Sequence, residues 1–494
     1  MIDIKWKIQD LLSEMSDNSI LQANHQIIKG MTLDSRAVQP GDMFFAIKGT
    51  VSDGHDFIEQ AIAKGATAIV LEDLPRQLHP EVAYIRHRDV VGQMASLAKK
   101  FFDNPANKLK LIGITGTNGK TTTARLLYQT WRAMGYPAGV ISTIDVRMGD
   151  RIIPTTLTTP DLITLNRWLY EMVEYGIEWV AMEVSSHAIE QGRVREIPFT
   201  GGIFTNISHD HLDYHGDMKH YIQAKKKFFD GLPASAFALA NIDDPRGKIM
   251  LQNTRAKKAF YALAQPASFK GKIISMEIGG MELEFNGVRF VTPLTARFNA
   301  YNLLACYAGC ILSGFEEAEV LRALSVARPA EGRLELIRSH SRHITGIIDY
   351  AHTPDALAKL LESIQQLTNV GKVITVFGCG GDRDRDKRPK MGHIASLLSD
   401  IVILTSDNPR TEDPDRILRQ IAAGIPQDTK AKLLTIEQRK EAIKTAWMLA
   451  SEGDVIVLAG KGHEKYQIIG DTKTPFDDKE ILETLMKESD KKIE

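Results

Sequence analysis

The central part of the chain alternates short apolar runs with longer stretches whose apolar residues have helical spacing. The apolar runs cover residues 109–115, 179–184, 202–207 and 237–240. Each run is short enough for a strand and is bounded by polar or glycine-containing segments. Because parallel strands have to be joined by a crossover, usually a helix, this alternation predicts a parallel α/β sheet.

The same pattern returns in the last third of the chain. The segments "KVITVFGCGG", "DIVILTSDNPR" and "DVIVLAGKGHE" are apolar runs that lead into polar loops containing glycine or proline. Open α/β sheets bind their ligands at the carboxyl ends of the strands, so these loops are candidate ligand sites. The first hundred residues have a more mixed, α+β character.

Polar, proline-containing segments separate these regions. One is "FFDNPANKLK", around Pro105, and the other is "ARPAEGR", around Pro329. A chain of 494 residues is also too long for a single hydrophobic core. We therefore predict an α/β protein of three domains, an α+β domain followed by two with parallel sheets, at residues 1–106, 107–332 and 333–494.

Composition excludes several classes of protein. Charged residues are 25% of the chain and hydrophobic residues 43%, and 61 Lys and Arg balance 62 Asp and Glu, so we expect neither disorder nor a nucleic-acid-binding surface. The longest uncharged run, 298–315, contains two asparagines and predicts a buried helix rather than a membrane span. Cys306, Cys310 and Cys379 show no CxxC pair and are expected to be core thiols. The N-terminus lacks a secretory apolar core, so we expect a soluble, cytoplasmic protein.

The segment "LIGITGTNGKTTTARLL", residues 111–127, passes from an apolar strand through a glycine-rich turn into a predicted helix. It misses the strict GxxxxGK[ST] pattern, because isoleucine stands where the first glycine would be. The physical elements of a phosphate loop are nevertheless present. Gly116 and Gly119 allow backbone N–H groups to approach phosphate oxygens. Lys120 supplies a positive charge, and Thr121 can bind magnesium.

A carboxylate, Glu183, follows another predicted strand. Magnesium prefers oxygen ligands and binds one or two carboxylates with substrate phosphates, so Glu183 and Thr121 are candidate ligands. A solvated or capping glutamate is the alternative that the sequence leaves open. Nearby, His209, His211 and His215 do not predict zinc, because no cysteine accompanies them and phosphoryl transfer favours hard oxygen ligands.

The segment "DMKHYIQAKKKFFDGL" predicts a helix capped by its aspartate. At about 100° per residue, Lys225 lies at the centre of the apolar face, Lys226 at its margin and Lys227 on the opposite side. Burial and like-charged neighbours favour a neutral amine on Lys225, which can add carbon dioxide and become a carbamate. A structural lysine whose stem packs on apolar surface is the alternative. The apolar face consists of Tyr221, Ile222, Phe228, Phe229 and Leu232.

The motif "TGTNGKTT" resembles the ATP loop of the Mur ligase family of peptidoglycan-synthesis enzymes, and the resemblance covers essentially the whole chain. It implies an N-terminal UDP-sugar domain, a central ATPase and a Rossmann-like C-terminal domain. It also implies that Lys120 is catalytic and that a carbamylated Lys225, with Glu183 and His211, holds the second of two magnesium ions. The residues implied to bind ATP are Gly116, Thr117, Asn118, Gly119, Lys120, Thr121, Thr122, Asn299, Asn302, Arg333 and Asp349.

The resemblance further implies a UDP-MurNAc-dipeptide site. Hydroxyl, amide and guanidinium groups suit the carboxylates and peptide groups of such a substrate. Leu157 stands where some relatives have asparagine. The residues implied are Ser35 of "LDSR", Thr158 and Thr159 of "LTTP", and Ser185, Gln191 and Arg193 of "SSHAIEQGR".

The segment "SDNPRTEDP" carries the prediction of the amino acid that is added. In Mur ligases that resemble this chain, "DNPR" accompanies meso-diaminopimelate, whose far end has both an ammonium and a carboxylate. Arg410 would grip that carboxylate and Glu464 the ammonium. Otherwise Arg410 is a surface residue in an Asn-Pro turn. The implied site consists of Arg383, Asp407, Asn408, Pro409, Arg410, Gly460 and Glu464.

The resemblance thus implies an ATP-dependent ligase that forms an acyl phosphate on UDP-MurNAc-L-Ala-D-Glu and then an amide. We expect a monomer that acts on small molecules and binds neither nucleic acid nor membrane. A lysine-adding Mur ligase is the nearest alternative. A folylpolyglutamate synthase would share the loop but not the "DSR" and "DNPR" segments, and a nucleotide-binding scaffold would form no amide.

Overall fold

The computed structural model describes residues 4–13, 19–21, 25–49, 52–155, 157–367 and 370–490. The first sheet has the strand order β2-β7-β6-β5-β4, with β2 antiparallel to β7 and the other neighbours parallel. The strands of this region are β1 Trp6–Lys7, β2 Ser19–Leu21, β3 Ile27–Ile28, β4 Gly30–Thr32, β5 Asp42–Phe45, β6 Ala68–Leu71 and β7 Ala83–Arg86. Its helices are α1 Ile8–Leu12, α2 Ile58–Ala63 and α3 Val90–Phe101, with 3₁₀ turns at Gly54–Phe57 and Pro105–Lys108.

The central region folds around an 11-stranded sheet with the order β11-β10-β9-β12-β8-β13-β14-β15-β16-β17-β18. From β9 to β16 all neighbours are parallel, as the alternating pattern predicts. Its strands are β8 Lys110–Thr115, β9 Ala138–Ile141, β10 Asp145–Met148, β11 Arg151–Pro154, β12 Trp179–Glu183, β13 Gly201–Phe204, β14 Phe237–Asn241, β15 Lys257–Ala262, β16 Phe269–Glu277, β17 Gly280–Phe285 and β18 Val288–Thr292. Its helices are α4 Lys120–Ala133, α5 Leu162–Glu174, α6 Ser186–Glu190, α7 Leu212–His215, α8 Met218–Asp230, α9 Gly247–Met250, α10 Arg297–Leu312 and α11 Glu317–Leu324.

The last region has a six-stranded sheet, β19-β20-β24-β21-β22-β23, in which only the edge strand β19 is antiparallel to its neighbour. Its strands are β19 Glu335–Arg338, β20 Thr345–Asp349, β21 Val373–Phe377, β22 Ile401–Leu404, β23 Lys432–Thr435 and β24 Val455–Ala459. Two further strands, β25 Tyr466–Ile469 and β26 Thr472–Pro475, form a separate antiparallel pair. The helices are α12 Pro354–Gln365, α13 Lys387–Leu398, α14 Pro414–Ala422, α15 Arg439–Leu449 and α16 Asp478–Asp490. Three regions with separate sheets agree with the predicted organisation, while the boundaries at 106 and 332 stay a prediction.

Two buried features confirm the sequence patterns. The uncharged run forms α10, most of whose side chains are buried against the central sheet, and Cys306, Cys310 and Cys379 are free, buried thiols. The side chain of Asp217 caps α8 by accepting from the N–H of His220. Among the described residues, no helix is both long enough and apolar enough to cross a membrane.

Candidate active site

The glycine-rich loop joins the carboxyl end of β8 to the start of α4 at Lys120. Gly116 and Gly119 have φ angles of 154° and 88°, in the region that favours glycine. A Cβ atom at Gly116 would lie 1.9 Å from Thr205 Oγ1, and one at Gly119 would lie 2.5 Å from Asn302 Oδ1. This loop conformation therefore requires glycine at both positions. The first N–H groups of α4 have no intrahelical acceptors, so the loop and the helix start form a candidate anion site.

Lys120 folds back over the loop that precedes it. Its Nζ atom donates to the carbonyl oxygens of Gly116 at 3.0 Å and Thr117 at 2.9 Å. Burial lowers the pKa of Lys120, although the nearby carboxylates of Glu183 and Asp210 oppose that shift. The amine therefore lies against the loop, where a positive charge would meet phosphate oxygens.

Lys225 reaches the same carbonyl from α8. The residue is 1% exposed, its Nζ donates to the Gly116 oxygen at 2.9 Å, and that Nζ lies 4.7 Å from the ring centroid of Tyr221. Burial, with the charge of Lys120 adding to it, holds the pKa of Lys225 well below its usual value. The side chain of Lys227 is 59% exposed and forms a surface ion pair. The predicted helix face is confirmed, and the neutral amine that carbamate formation requires is favoured on Lys225.

Glu183 ends β12 beside the phosphate loop, in register with Ile114 of β8. It is fully buried, and its carboxylate accepts from Thr143 N at 2.8 Å and from Thr143 Oγ1 at 3.2 Å. Thr121 Oγ1 accepts from Arg333 Nη2 at 3.2 Å. The two residues predicted to bind the first magnesium ion therefore flank the loop, and each already has one polar neighbour.

His211 has a φ angle of 54°, and its Nε2 atom lies 3.4 Å from Asp210 Oδ2. Its ring centroid lies 4.9 Å from that of His187. Within the described part of the chain, no three His, Cys, Asp or Glu side chains are grouped so as to hold a metal ion. A magnesium site here would also need the Thr121 hydroxyl, a Lys225 carbamate or substrate phosphates. The metal ligands thus stay a prediction.

Asp210 is a functional candidate that the sequence interpretation missed. Its side chain is 22% exposed. Burial alone would raise the pKa of Asp210, but electrostatic interactions with His211, His352 and Lys120 outweigh that effect and lower it. The carboxylate also favours charge on Lys225. The segment "SHDHLD" shows this aspartate between histidines, but the interpretation considered only the histidines.

A cavity of about 430 Å³ opens beside the loop and extends to α10 and α12. Its volume is within the usual range for small-molecule sites. Of the residues predicted to bind ATP, Asn118, Gly119, Thr122, Asn302, Arg333 and Asp349 line it. The lining also includes residues that were not predicted, among them Asn241, Asp243, Tyr301, Lys359 and Gln366.

Two predicted nucleotide ligands already have protein partners. Asn299 lies behind the cavity wall, where its Nδ2 donates to Thr295 O at 2.9 Å and its Oδ1 accepts from Asn302 Nδ2 at 3.2 Å. It therefore orients Asn302 instead of lining the cavity. The carboxylate of Asp349 accepts from the N–H groups of Leu334 at 2.7 Å and Ala351 at 2.8 Å, and burial raises its pKa.

Among the described residues, Asp355 and Arg333 of the third region contact the loop and the start of α4. Asp355 Oδ2, in the first turn of α12, accepts from Asn118 Nδ2 at 2.7 Å and from Ser208 Oγ at 2.9 Å. The guanidinium of Arg333 lies 4.6 Å from the ring centroid of Tyr350 and donates to Thr121 in the first turn of α4. Its Nε atom is buried and has no hydrogen-bond partner among the described residues. A buried donor without a partner is costly, so this atom is a candidate for ligand binding.

Residues predicted to bind the muramyl substrate form one connected group beside Glu183. Thr159 Oγ1 donates to the Glu183 carbonyl at 2.9 Å and accepts from Ser185 N at 3.1 Å. Arg193 donates to the Thr159 carbonyl at 2.9 Å and to Gln191, and burial lowers its pKa. Thr158 joins the group because its hydroxyl oxygen lies 3.1 Å from Thr143 Oγ1.

Ser35 lies outside that group. Its Oγ donates to Gln60 Oε1 at 2.7 Å in the first region, and none of its described contacts reaches the central sheet. That region does meet the central one, because Asp89, which caps α3, forms an ion pair with Arg195 at 2.7 Å. The uridine-side role of Ser35 stays a prediction.

At the loop after β22, a guanidinium is available for an anionic ligand. Arg410 Nη1 donates to the carbonyls of Gly381 at 2.8 Å and Asn408 at 3.4 Å. No carboxylate pairs with Arg410 within the described parts of the chain. A Cβ atom on Gly380 would lie 3.0 Å from Arg410 Nη1 and 3.7 Å from Arg383 Cγ, so the two predicted arginines are neighbours. Arg383 is exposed.

The carboxylates of Asp407 and Glu464 lie on the other side of Asn408. Its Nδ2 donates to Glu464 Oε2 at 2.8 Å, and buried Lys461 lies 3.4 Å from Asp407 Oδ1. Burial raises the pKa of Glu464, the charge of Asp407 raises it further, and Lys461 opposes both. Gly460, with a φ of 108°, brings the backbone to the Asp407 carboxylate, where a Cβ atom would lie 3.3 Å from Oδ2. Pro409, between Asn408 and Arg410, is buried.

A parallel sheet that feeds a glycine-rich loop and a lysine-headed helix, with a cavity for a small molecule beside it, defines a phosphate-loop α/β enzyme. Three family models match the chain. They are "Mur ligase family, catalytic domain" at residues 27–100, "Mur ligase middle domain" at 114–310, and "Mur ligase, glutamate ligase domain" at 332–462. The chain belongs to the Mur ligase family.

Similar proteins match over nearly the whole chain. The UDP-N-acetylmuramoyl-L-alanyl-D-glutamate–2,6-diaminopimelate ligase of Cytophaga hutchinsonii is 49% identical, with 97% of this chain and 100% of the relative covered. The enzyme of the same name from Bacteroides thetaiotaomicron is 48% identical, with 97% and 99% covered. A solved structure of a ligase with that name is 31% identical, with a TM-score of 0.70 and coverage of 98% of this chain and 99% of the other.

Proposed function

We propose that the protein is an ATP-dependent ligase that joins meso-2,6-diaminopimelate to the D-Glu γ-carboxylate of UDP-MurNAc-L-Ala-D-Glu. The relatives that are 48% and 49% identical carry the name of this activity. The substrates are a nucleotide-linked precursor, ATP and an amino acid, so we expect the reaction to take place in the cytoplasm. All the proposed site residues come from one chain, and we expect a monomer.

Positively and negatively charged side chains lie on opposite sides of Asn408, and this arrangement supports diaminopimelate as the amino acid that is added. On one side the hydrogen-bond acceptors of Arg410 among the described residues are carbonyl oxygens, and on the other side the carboxylates of Glu464 and Asp407 lie near one lysine. A ligand group that carries both a carboxylate and an ammonium satisfies both sides. L-Lysine would leave the guanidinium without an anion, and an uncompensated charge in a ligand site disfavours binding.

The chemistry follows from the residues at the loop. The γ-phosphoryl group of ATP passes to a γ-carboxylate oxygen of D-Glu, its bond to the ADP oxygen breaks, and an acyl phosphate forms. The backbone N–H groups of the loop and the charge of Lys120 stabilise the transferring group. The amine of diaminopimelate then attacks the acyl carbon, and a tetrahedral intermediate expels phosphate as the amine loses its proton. An amide remains.

The residue group beside Glu183 supports binding of the acceptor carboxylate there. Thr159, Ser185 and Arg193 are joined by hydrogen bonds and lie at the end of β12, next to the loop. Arg193 supplies positive charge, and hydroxyls can donate to peptide and carboxylate oxygens. We expect this group to hold the D-Glu end of the muramyl dipeptide, and Ser35 to contact the uridine end.

The residues around the loop fit magnesium. Glu183 is a fully buried carboxylate with no ion-pair partner in the described ranges, and a buried anion of that kind calls for a cation. Thr121 and a carbamylated Lys225 would add hard oxygen donors, and His211 an imidazole. The carbamate forms when the neutral Lys225 nitrogen attacks carbon dioxide and loses a proton. Two bound magnesium ions would neutralise charge on the phosphates.

Product analysis tests the proposal. The protein would be incubated with ATP, magnesium and UDP-MurNAc-L-Ala-D-Glu, together with meso-diaminopimelate or L-lysine in separate reactions. We expect a nucleotide product heavier by one diaminopimelate residue, with one ADP and one phosphate released for each amide. A product formed preferentially with L-lysine, or ATP binding without an amide from either amine, would refute the assignment.

A further inference from the structure

Lys461 is a buried charge in the amino-acid pocket that the predicted site does not include. It follows β24, is 0% exposed, and its Nζ faces three polar groups. Nζ donates to Asn408 Oδ1 at 3.2 Å and to Asp407 Oδ1 at 3.4 Å, and it lies 3.6 Å from Glu464 Oε2. A lysine is rarely buried unless it is paired, so these three contacts account for its position.

The first consequence concerns the orientation of Asn408. Its Oδ1 accepts from Lys461 Nζ and from Ile468 N at 3.0 Å. Two donors on the oxygen leave the Nδ2 group to face Glu464 Oε2, to which it donates at 2.8 Å. The amide of asparagine can be reversed unless its partners differ in kind, and here they do. Lys461 therefore helps to fix the direction in which Glu464 is held.

The second consequence concerns the charge of the pocket. Asp407 and Glu464 are two carboxylates that face one ammonium, that of Lys461. One negative charge is therefore left for a ligand. Without Lys461 the two carboxylates would repel each other, and like charges that share a site cannot both stay ionised easily.

We propose that Lys461 is a positioning residue for the distal ammonium of the added amino acid, because it fixes the Asn408–Glu464 contact and balances one of the two carboxylates. This inference rests on the proposed function and deepens it. Lys461 is fully buried and contacts Asn408, Asp407 and Glu464, so it acts through these residues and not by direct contact with the substrate. Its effect is therefore restricted to substrates that carry a distal ammonium.

A dependence on pH follows from the same contacts. Burial and Asp407 raise the pKa of Glu464, and Lys461 lowers it. Removing Lys461 raises the pKa of Glu464 further, so the carboxylate that binds ammonium is lost at a higher pH as the solution is acidified. Other charged or titratable groups of the described residues that interact with Glu464 include Asp407, Tyr350, Arg439 and Tyr466, and they are the same in wild type and variant.

A comparison of two amine substrates distinguishes a positioning role of Lys461 from a purely structural one. meso-Diaminopimelate carries the distal ammonium, and 2-aminopimelate lacks only that amino group. In Lys461→Met we expect kcat/KM for diaminopimelate to fall ~10-fold or more, mainly through KM, while the value for 2-aminopimelate changes by less than ~2-fold. The acid limb of the pH profile for diaminopimelate should move up by about one pH unit. Lys465→Met is the matched control, because Lys465 forms a largely exposed ion pair with Glu331 nearby, and we expect no change.

Equal losses with both amines in Lys461→Met would show a structural role and overturn the proposal, as would unchanged use of diaminopimelate. If Lys461→Met does not fold, the losses of kcat/KM for diaminopimelate and for 2-aminopimelate are compared in Lys461→Gln instead. Glutamine keeps a donor toward Asn408 and removes only the charge. A wild-type protein that ligates neither amine would count against the proposed function, which separates that failure from a failure of this inference.

Discussion

Replacing Arg410 with alanine removes the guanidinium proposed to hold the distal carboxylate of the incoming amino acid. Nη1 is already bound to the Gly381 and Asn408 carbonyls, and no described carboxylate competes for the side chain. Loss of one partner of a hydrogen-bonded charge pair costs about 2 to 5 kcal/mol. Arg410 is only half-buried, so the lower value applies, and about 2 kcal/mol corresponds to a ~30-fold loss of kcat/KM for diaminopimelate.

The assay compares diaminopimelate, 2-aminopimelate and L-lysine with wild type, Arg410→Ala and Arg410→Lys. Both amines with a distal carboxylate should lose efficiency in Arg410→Ala, whereas L-lysine, which has no distal carboxylate, should not. Arg410→Lys keeps the charge but not the two-pronged geometry, so we expect an intermediate value. The reasoning is refuted if Arg410→Ala stays within ~3-fold of wild type with diaminopimelate, or if L-lysine falls in parallel.

Three further predictions concern the loop. Lys225→Ala should abolish ligation, and added short-chain carboxylates should partly restore it because the missing group is an oxygen ligand. Lys227→Ala should be nearly silent, and the opposite result in a turnover assay would contradict the proposed role of Lys225. Lys120→Ala should lose turnover with an unchanged circular dichroism spectrum and melting temperature, and wild-type turnover would exclude its role at the phosphates. Asp355→Asn should weaken the contact with Asn118 and raise KM for ATP by ~3-fold to 10-fold, since a neutral amide is a poorer acceptor. An unchanged KM would show that this contact does not help to position the loop for ATP.

The sequence predicted strands and helix faces correctly where the spacing of apolar residues along the chain determines the local structure. The apolar runs became β8, β12, β13 and β14 with ends shifted by at most a few residues. Helical spacing identified Lys225 as the embedded lysine among three consecutive ones, and its exposure of 1% agrees. The positive φ angles of Gly116 and Gly119 follow from the turn between a strand and a helix.

Contacts between segments that are far apart in the sequence could not be predicted from local patterns. Asp355 meets Asn118 although 237 positions separate them, and the sequence contains no signal for that pairing. Lys461 was not included in the predicted site, and no local pattern indicates its burial, because lysines are usually exposed, whereas here loops after β22 and β24 converge on it. Asn299 carried the expected motif but its amide is used by Thr295 and Asn302, which only the packing of α10 reveals.

The two lysines at the Gly116 carbonyl show how the fold separates their roles. Both Nζ atoms donate to that oxygen, so their charges compete, and the lysine with fewer nearby carboxylates loses its proton more easily. The carboxylates of Glu183 and Asp210 both oppose the lowering of the Lys120 pKa, whereas of these two only Asp210 contributes at Lys225, which is 1% exposed. The pKa of Lys225 is therefore held further below its usual value than that of Lys120, which favours on Lys225 the neutral amine that reaction with carbon dioxide requires. The charged form is favoured more on Lys120, where a positive charge suits contact with phosphate.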